Sequence, residues 1–281
     1  MDVYRLNRFF NSASGRVLDV AIDHGFFGER SFLDGTENIA HAIDVLVDAA
    51  PDAIQLTPGQ GRLLQQRPGR DKPAFVMRTD IANVYGVPLD EHLYSHHFED
   101  AVERAVRLDA AVVVANLMQL PGRPEIREAN IRSIMALKAT SERYGMPLMI
   151  EPLVMRDNSE NGAYQVDGDV SKIETLVRQA VELGADLIKA DFSSNAEDYY
   201  RVIEMAGDIP VLVRGGGRTS DRNLLERTRV VLEQGAKGLV YGRNIVQHRD
   251  PAGITRALMA MLHEDADVET ALSMIDPGEQ A

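Results

Sequence analysis

The stretch "SKIETLVRQAVELGADLIKADFSS", residues 171–194, carries one unit of the pattern that decides the fold. Its first part, 171–184, has apolar residues at helical spacing and ends in Gly184, as a helix C-terminus often does. Its second part, "DLIKA" (186–190), is a short apolar run without alternation, the pattern of a strand covered on both faces in a parallel sheet. Seven further runs of this kind occur: "RVLDVAI" (16–22), "AIQL" (53–56), "AFVM" (74–77), "AVVVAN" (111–116), "PLMIE" (147–151), "PVLVR" (210–214) and "GLVYG" (238–242). Helical spacing recurs between most of them, at 37–50, 98–109, 127–145 and 220–235. Gly145 and Gly235 close two of these helices, and Thr219 or Ser220 can cap the start of the last. The link between 77 and 111, with "YSHHFED" at its centre, is the least regular.

Eight strands alternating with helices predict an α/β fold, a single-domain (β/α)8 TIM barrel over residues 1–264, followed by a C-terminal helical tail, 265–281. The tail is acidic and weakly helical, and is expected to pack on a neighbouring subunit or to fray. The competing architecture, a doubly wound open sheet, would favour a G-x-G-x-x-G after the first strand, and none is there.

Composition narrows the functions. A net charge of -13 argues against a general nucleic-acid binder, which needs a basic surface to neutralise phosphates. It leaves room for a small anionic substrate held in a local basic pocket. The chain has no cysteine, which removes disulfides, thiolate catalysis and Cys-type zinc sites. No apolar run reaches the roughly 18–20 residues of a membrane span, and "MDVYRLNRFFNSASGR" lacks the apolar core of a signal peptide. A soluble cytoplasmic protein without nucleic-acid or membrane partners is expected.

In a (β/α)8 barrel the chemistry lies at the C-terminal ends of the strands. Strand one ends in Asp23 and His24, strand three runs into "MRTD", strand four ends in Asn116 and strand five at Glu151. Strand six delivers Lys189 and then Asp191. The other four lysines (Lys72, Lys138, Lys172, Lys237) fall in predicted helices or loops, where solvated lysines belong. Burial lowers the pKa of a strand lysine, and its neutral amine can form a Schiff base with a carbonyl. The other reading of Lys189 is an ion pair with Asp191 or Glu151 in the barrel mouth. Asp23 is a candidate for contacting substrate or moving protons, and equally for fixing its loop with His24. His24 also has the chemistry of a metal ligand, while His96 and His97 lie elsewhere on a predicted loop. No H-E-x-x-H or comparable spacing appears, so neither a metal nor another cofactor is expected. "RGGGRTS" (214–220) and "YGRN" (241–244) follow strands seven and eight, where these barrels often bind phosphate. Arg214, Gly215, Gly216, Gly217, Gly242 and Arg243 are the candidate phosphate ligands, against the plainer reading of two tight turns.

Taken in order, "VLDVAIDHGFF", "ADLIKADF", "VRGGG" and "GAKGLVYGRNIVQHRDP" resemble the DeoC/FbaB/LacD-type class I aldolases, over about residues 15–262. The likeness extends to archaeal-type fructose-bisphosphate aldolases, aminodideoxyheptulosonate synthases and LsrF-type enzymes. It implies that Lys189 forms the Schiff base, with Asp23 beside it. It also implies that Gly215, Gly216, Gly217, Gly242 and Arg243 hold the substrate phosphate, and that the chain forms pentameric or decameric rings. The bisphosphate aldolases and heptulosonate synthases carry a proton-transferring tyrosine after strand five, where Leu153 stands here within "IEPLVMRDN". Either Glu151, His24 or Tyr164 takes that role, or the chemistry differs, since LsrF-type members also lack that tyrosine. The expected activity is a class I lyase that cleaves or forms a C–C bond in a phosphorylated ketose, releasing dihydroxyacetone phosphate and an aldehyde. The alternatives are LsrF-type transfer on a phosphorylated dione, a barrel that binds sugar phosphate without turnover, and a metal-dependent aldolase or isomerase.

Overall fold

Each apolar run becomes a strand because both of its faces find cover, one inside a closed barrel and one beneath a ring of helices. The computed structural model describes residues 3–276 apart from 70, 88 and 161, so residues 1–2 of the N-terminal stretch and 277–281 of the tail lie outside the described residues. The strands are β1 (Val17–Ala21), β2 (Ala53–Leu56), β3 (Ala74–Arg78), β4 (Val112–Gln119), β5 (Leu148–Asp157), β6 (Leu187–Asp191), β7 (Val211–Arg214) and β8 (Gly238–Tyr241). Each pairs in parallel with the next, and β8 pairs with β1 through Val17↔Gly238 to Val20↔Tyr241, which closes the barrel.

The helices are α1 (Ile39–Ala49), α2 (Pro58–Gln65), α3 (Ala101–Arg107), α4 (Pro124–Tyr144), α5 (Val170–Glu182), α6 (Tyr200–Ala206), α7 (Asp221–Glu233) and α8 (Pro251–His263). One follows each strand, and the architecture is a (β/α)8 barrel. Helical spacing did not reveal α2, α6 and α8: the first two are short, and α2 and α8 contain glycine, which weakens the local signal. Helix α4 starts three residues earlier than the periodicity suggests, with Pro124 in its first turn, where a missing N–H is tolerated. Gly145 caps its end at φ 57°, and Ser220 caps α7 by accepting from the Asn223 N–H.

Strands β4 and β5 run beyond Asn116 and Glu151, where the sequence reading ends them. Their pairing continues from Asn116↔Glu151 to Gln119↔Val154, and β5 then meets the short antiparallel strand Tyr164–Val166. The irregular link after β3 folds as an antiparallel pair, Asp80–Ala82 with Ser95–His97. The helix Val268–Ser273, in the tail, packs against α7 and α8 of its own chain, burying Ala271 and Ile275 and pairing Glu269 with Arg222.

Two apolar clusters separate the faces of the barrel. Leu18, Val20, Ile54, Phe75 and Val113 point outward into the helical layer. Val17, Ala21, Ala53, Val76, Val112, Val114, Met149, Leu187, Leu212 and Val240 fill the interior, with Leu6 and Phe9 packed on them from the N-terminal segment. Side chains alternate along a strand, so the residues sharing parity with this interior set are Asp19, Gln55, Arg78, Asn116, Glu151, Lys189, Asp191 and Arg214. An apolar plug below and a polar layer above is the consequence, and the polar layer lies toward the strand C-termini.

Candidate active site

Lys189 is 3% exposed, at the upper end of β6. Its ammonium lies 3.0 Å from Glu151 Oε2 and donates to Gln55 Oε1 at 3.4 Å. Glu151 is the hub of the layer. Oε2 also meets Arg78 Nη2 at 2.6 Å, and Oε1 meets Arg214 Nε at 2.9 Å. Arg78 reaches Asp23 Oδ2 at 2.8 Å and Asp80 Oδ1 at 3.3 Å, and Gln55 Nε2 donates to the same Asp23 oxygen at 2.7 Å. Arg214 Nη1 holds Asp191 Oδ1 at 2.6 Å, and its Nη2 donates to the Tyr85 hydroxyl at 3.2 Å.

Burial and pairing set the charges. Burial lowers the pKa of Lys189, against the pull of Glu151 and Asp23, so its amine is easier to deprotonate than an ordinary lysine's. For Glu151 burial acts to raise the pKa, but Lys189, Arg78 and Arg214 together hold the carboxyl well below its usual range. Asp23 is likewise held low, mainly by Arg78 and Lys189 overriding burial. Burial raises Asp191, which has one oxygen without a hydrogen-bond partner. Asp19, fully buried with neither oxygen partnered, is pushed up to about 8 by burial. His24 is pushed down to about 4 by burial, so its imidazole is neutral at pH 7.

Asp23, His24, Arg78, Glu151, Lys189, Arg214, Gly215, Gly216, Gly242 and Arg243 line one cavity. The structure thus brings Lys189, Asp23, His24 and Glu151 together with most of the glycine segment. Gly217 stands one residue further, where its carbonyl accepts from Asn244 Nδ2 at 3.1 Å. Asn244 also donates to the Gly215 carbonyl at 3.0 Å and accepts from the Thr219 N–H, which ties the two loops together. Arg243 donates to the Gly216 carbonyl at 3.1 Å and lies over the Phe32 ring. A Cβ at Gly242 would sit 2.4 Å from His24 Cε1, so the imidazole can occupy its place only against glycine. Arg214, read as a phosphate ligand, has its guanidinium turned to the carboxylates of Glu151 and Asp191.

Other expected participants are placed differently. Tyr164 donates to the Pro121 carbonyl at 3.0 Å and is not among the residues lining the cavity. Leu153 is fully buried in an apolar cluster with Phe26, Phe27, Tyr85 and Met155. Asn116 donates to Asp80. His96 stacks on Tyr94, and His97 pairs with Thr79, both on the antiparallel pair above β3. Arg78, which the sequence reading holds only within "MRTD", joins Gln55, Asp19 and Tyr85, which it leaves out. The first three interrupt apolar strands at interior parity, which is a usable signal; Tyr85 lies on an irregular loop and offers none.

The sequence pattern of the DeoC/LacD family aldolases matches residues 17–248. The chain is 31% identical to an uncharacterised aldolase of Saccharolobus solfataricus, covering 96% of this chain and 97% of that one. It is 29% identical to a 3-hydroxy-5-phosphonooxypentane-2,4-dione thiolase of Yersinia enterocolitica, over 96% of this chain and 85% of that one. Among solved structures, an archaeal fructose 1,6-bisphosphate aldolase superimposes with a TM-score of 0.77 at 23% identity, covering 95% of this chain and all of that one (100%). Among the described residues no helix is long and apolar enough to cross a membrane.

Proposed function

The chain belongs to the DeoC/LacD family of aldolases, and on that premise we propose that it is a Schiff-base lyase acting on a phosphorylated ketose, with Lys189 as the nucleophile. The observation that carries this reading is the placement of Lys189: a buried amine at a strand end, lowered in pKa, facing a cavity with carboxylates on its walls. The neutral amine attacks the ketone carbon, and a proton reaches the carbonyl oxygen to give a carbinolamine. Loss of water leaves an iminium. Glu151, 3.0 Å from the amine, is placed to take and return the proton in these steps. A base then removes the proton of the hydroxyl two carbons away, and the C–C bond breaks. Its electron pair moves to the iminium nitrogen, giving an enamine and a free aldehyde. Protonation of the enamine and hydrolysis release dihydroxyacetone phosphate and restore Lys189. Asp23 is the leading base because it lies at the cavity wall on β1's exit; neutral His24 is the other candidate.

Gly215, Gly216, Gly217, Gly242 and Arg243 would hold the phosphate, with Arg214 adding positive field from behind. The family resemblance extends the reading to a homo-oligomeric ring, which sedimentation would measure. Leu153 favours a second reading. An apolar residue at the place of the family tyrosine suits transfer on a phosphorylated dione, which uses the same lysine and is separated by product analysis.

The test is to incubate the protein with dihydroxyacetone phosphate and borohydride and to read intact and peptide mass. A reduced adduct on the peptide carrying Lys189 is expected. Its absence, while phosphate ligands still stabilise the fold, would remove Schiff-base chemistry with this substrate.

A further inference from the structure

The contacts beneath the cavity close a ring. Arg78 Nε donates to Asp23 Oδ2 at 2.8 Å, and Gln55 Nε2 donates to the same oxygen at 2.7 Å. Gln55 Oε1 accepts from Lys189 at 3.4 Å, and Lys189 and Arg78 meet again at Glu151 Oε2, at 3.0 and 2.6 Å. The β1 exit, β2, β3, β5 and β6 each supply one member. The ring has a fixed sense. Against the effect of burial, Arg78 and Lys189 keep Asp23 ionised, and a carboxylate only accepts. The Gln55 amide must therefore turn its NH2 to Asp23 and its carbonyl oxygen to Lys189. Gln55 is fully buried and is not among the residues lining the cavity, whereas Lys189 and Glu151 are, so Gln55 holds the amine from behind. An ammonium has three N–H donors. Among the described residues Glu151 and Gln55 take two of them, and the third faces no acceptor. That proton is the least stabilised, so it is the one lost when the amine becomes neutral, and the lone pair is left in its place.

We propose that Gln55 is a positioning residue for Lys189: locked in orientation by Asp23, it holds one N–H so that the lone pair of the neutral amine points into the cavity. This rests on the Schiff-base reading for what the lone pair attacks. The N–C bond forms with that pair, the proton facing Glu151 passes to it, and the N–H facing Gln55 is the one kept in the iminium. At 3.4 Å the Gln55 contact is long, and it acts on direction more than on affinity.

The test reads the amine without a sugar phosphate. Formaldehyde with cyanoborohydride methylates free amines, and peptide mass gives the rate at Lys189 relative to exposed Lys237, across a pH series on the whole protein. Gln55→Met keeps the length and leaves only a weak thioether acceptor. It alters none of the charged groups around Lys189, namely Glu151, Arg78, Asp23, Arg214 and Asp19. Loss of an acceptor destabilises the ammonium, so the midpoint moves to lower pH, which by protonation alone would speed methylation at neutral pH. The alkaline plateau is instead expected to fall at least about tenfold, because the lone pair is no longer aimed. A plateau within about twofold of the wild type would overturn the proposal. Gln55→Glu keeps the length and still offers an oxygen to Lys189. Its plateau is expected within about threefold of the wild type, with the midpoint moved to higher pH by the nearby carboxylate. A Glu variant slowed about tenfold would contradict the assignment equally, and this comparison stands by itself where the Met variant does not fold. Borohydride trapping with dihydroxyacetone phosphate decides the Schiff-base reading separately: a missing adduct removes that reading, and the methylation rates still decide the role of Gln55.

Discussion

Replacing Glu151 with glutamine tests the central electrostatic claim, because one carboxylate holds three cations. Its oxygens lie 2.6 Å from Arg78, 3.0 Å from Lys189 and 2.9 Å from Arg214, and its side chain is 3% exposed. At an effective dielectric of about 20, each such pair is worth roughly 5 kcal/mol of Coulomb energy, much of it offset by desolvation. Glu151→Gln keeps the shape and removes the charge, leaving Arg78, Lys189 and Arg214 facing one another around a neutral amide. Breaking a buried pair costs about 3–5 kcal/mol, which for a domain of this size lowers Tm by roughly 6–10 °C. The variant also removes the group that most raises the Lys189 pKa, so the amine deprotonates at lower pH than in the wild type. Calorimetry gives the first number. Borohydride trapping across a pH series gives the second, with the alkaline rise in adduct yield moved to lower pH. A Tm within about 1 °C of wild type would refute the reasoning, since a structural hub cannot be silent on removal.

Three further outcomes follow from the same geometry. The pKa of Asp19 is raised from an ordinary carboxylate value to about 8, so the folded state binds a proton that the unfolded state releases, and stability falls as pH rises from about 4 to about 8. Asp19→Asn removes this loss, so the variant's stability advantage in urea titrations should widen across that window; a constant difference would contradict it. Gly242→Ala places a Cβ 2.4 Å from His24 Cε1 and 2.7 Å from the Ala21 carbonyl oxygen, and should cost about 1–3 kcal/mol while weakening phosphate binding. Thermal unfolding with and without inorganic phosphate measures both, and unaltered values would mean that His24 is free to move aside. Arg243→Ala should weaken dihydroxyacetone phosphate binding about tenfold to a hundredfold with Tm nearly unchanged, because its side chain rests at the rim on Phe32 and the Gly216 carbonyl. Calorimetric titration checks this, and unaltered affinity would move the phosphate elsewhere.

Much of this protein is legible along the chain because barrel strands impose a local pattern. Eight apolar runs alternating with helices are the pattern of a parallel sheet covered on both faces, and all eight are strands of the barrel. Lys189 stands out because a lysine interrupts an apolar strand, and Asp23, Glu151 and Asp191 because they sit at strand exits. Parity would have added Arg78, Gln55 and Asp19, since each shares the interior face with its apolar strand neighbours. What parity cannot supply is the partner across the barrel. Which carboxylate meets Lys189 depends on the stagger between strands that are up to 134 residues apart in sequence, as for its contact with Gln55. Pairing of β6 with β7 sets Arg214 beside Asp191, and only the path of the loop after β3 brings the Tyr85 hydroxyl to Arg214. Alternation along a strand is a property of the backbone and is written residue by residue; distances between strands are fixed only when the whole sheet has closed.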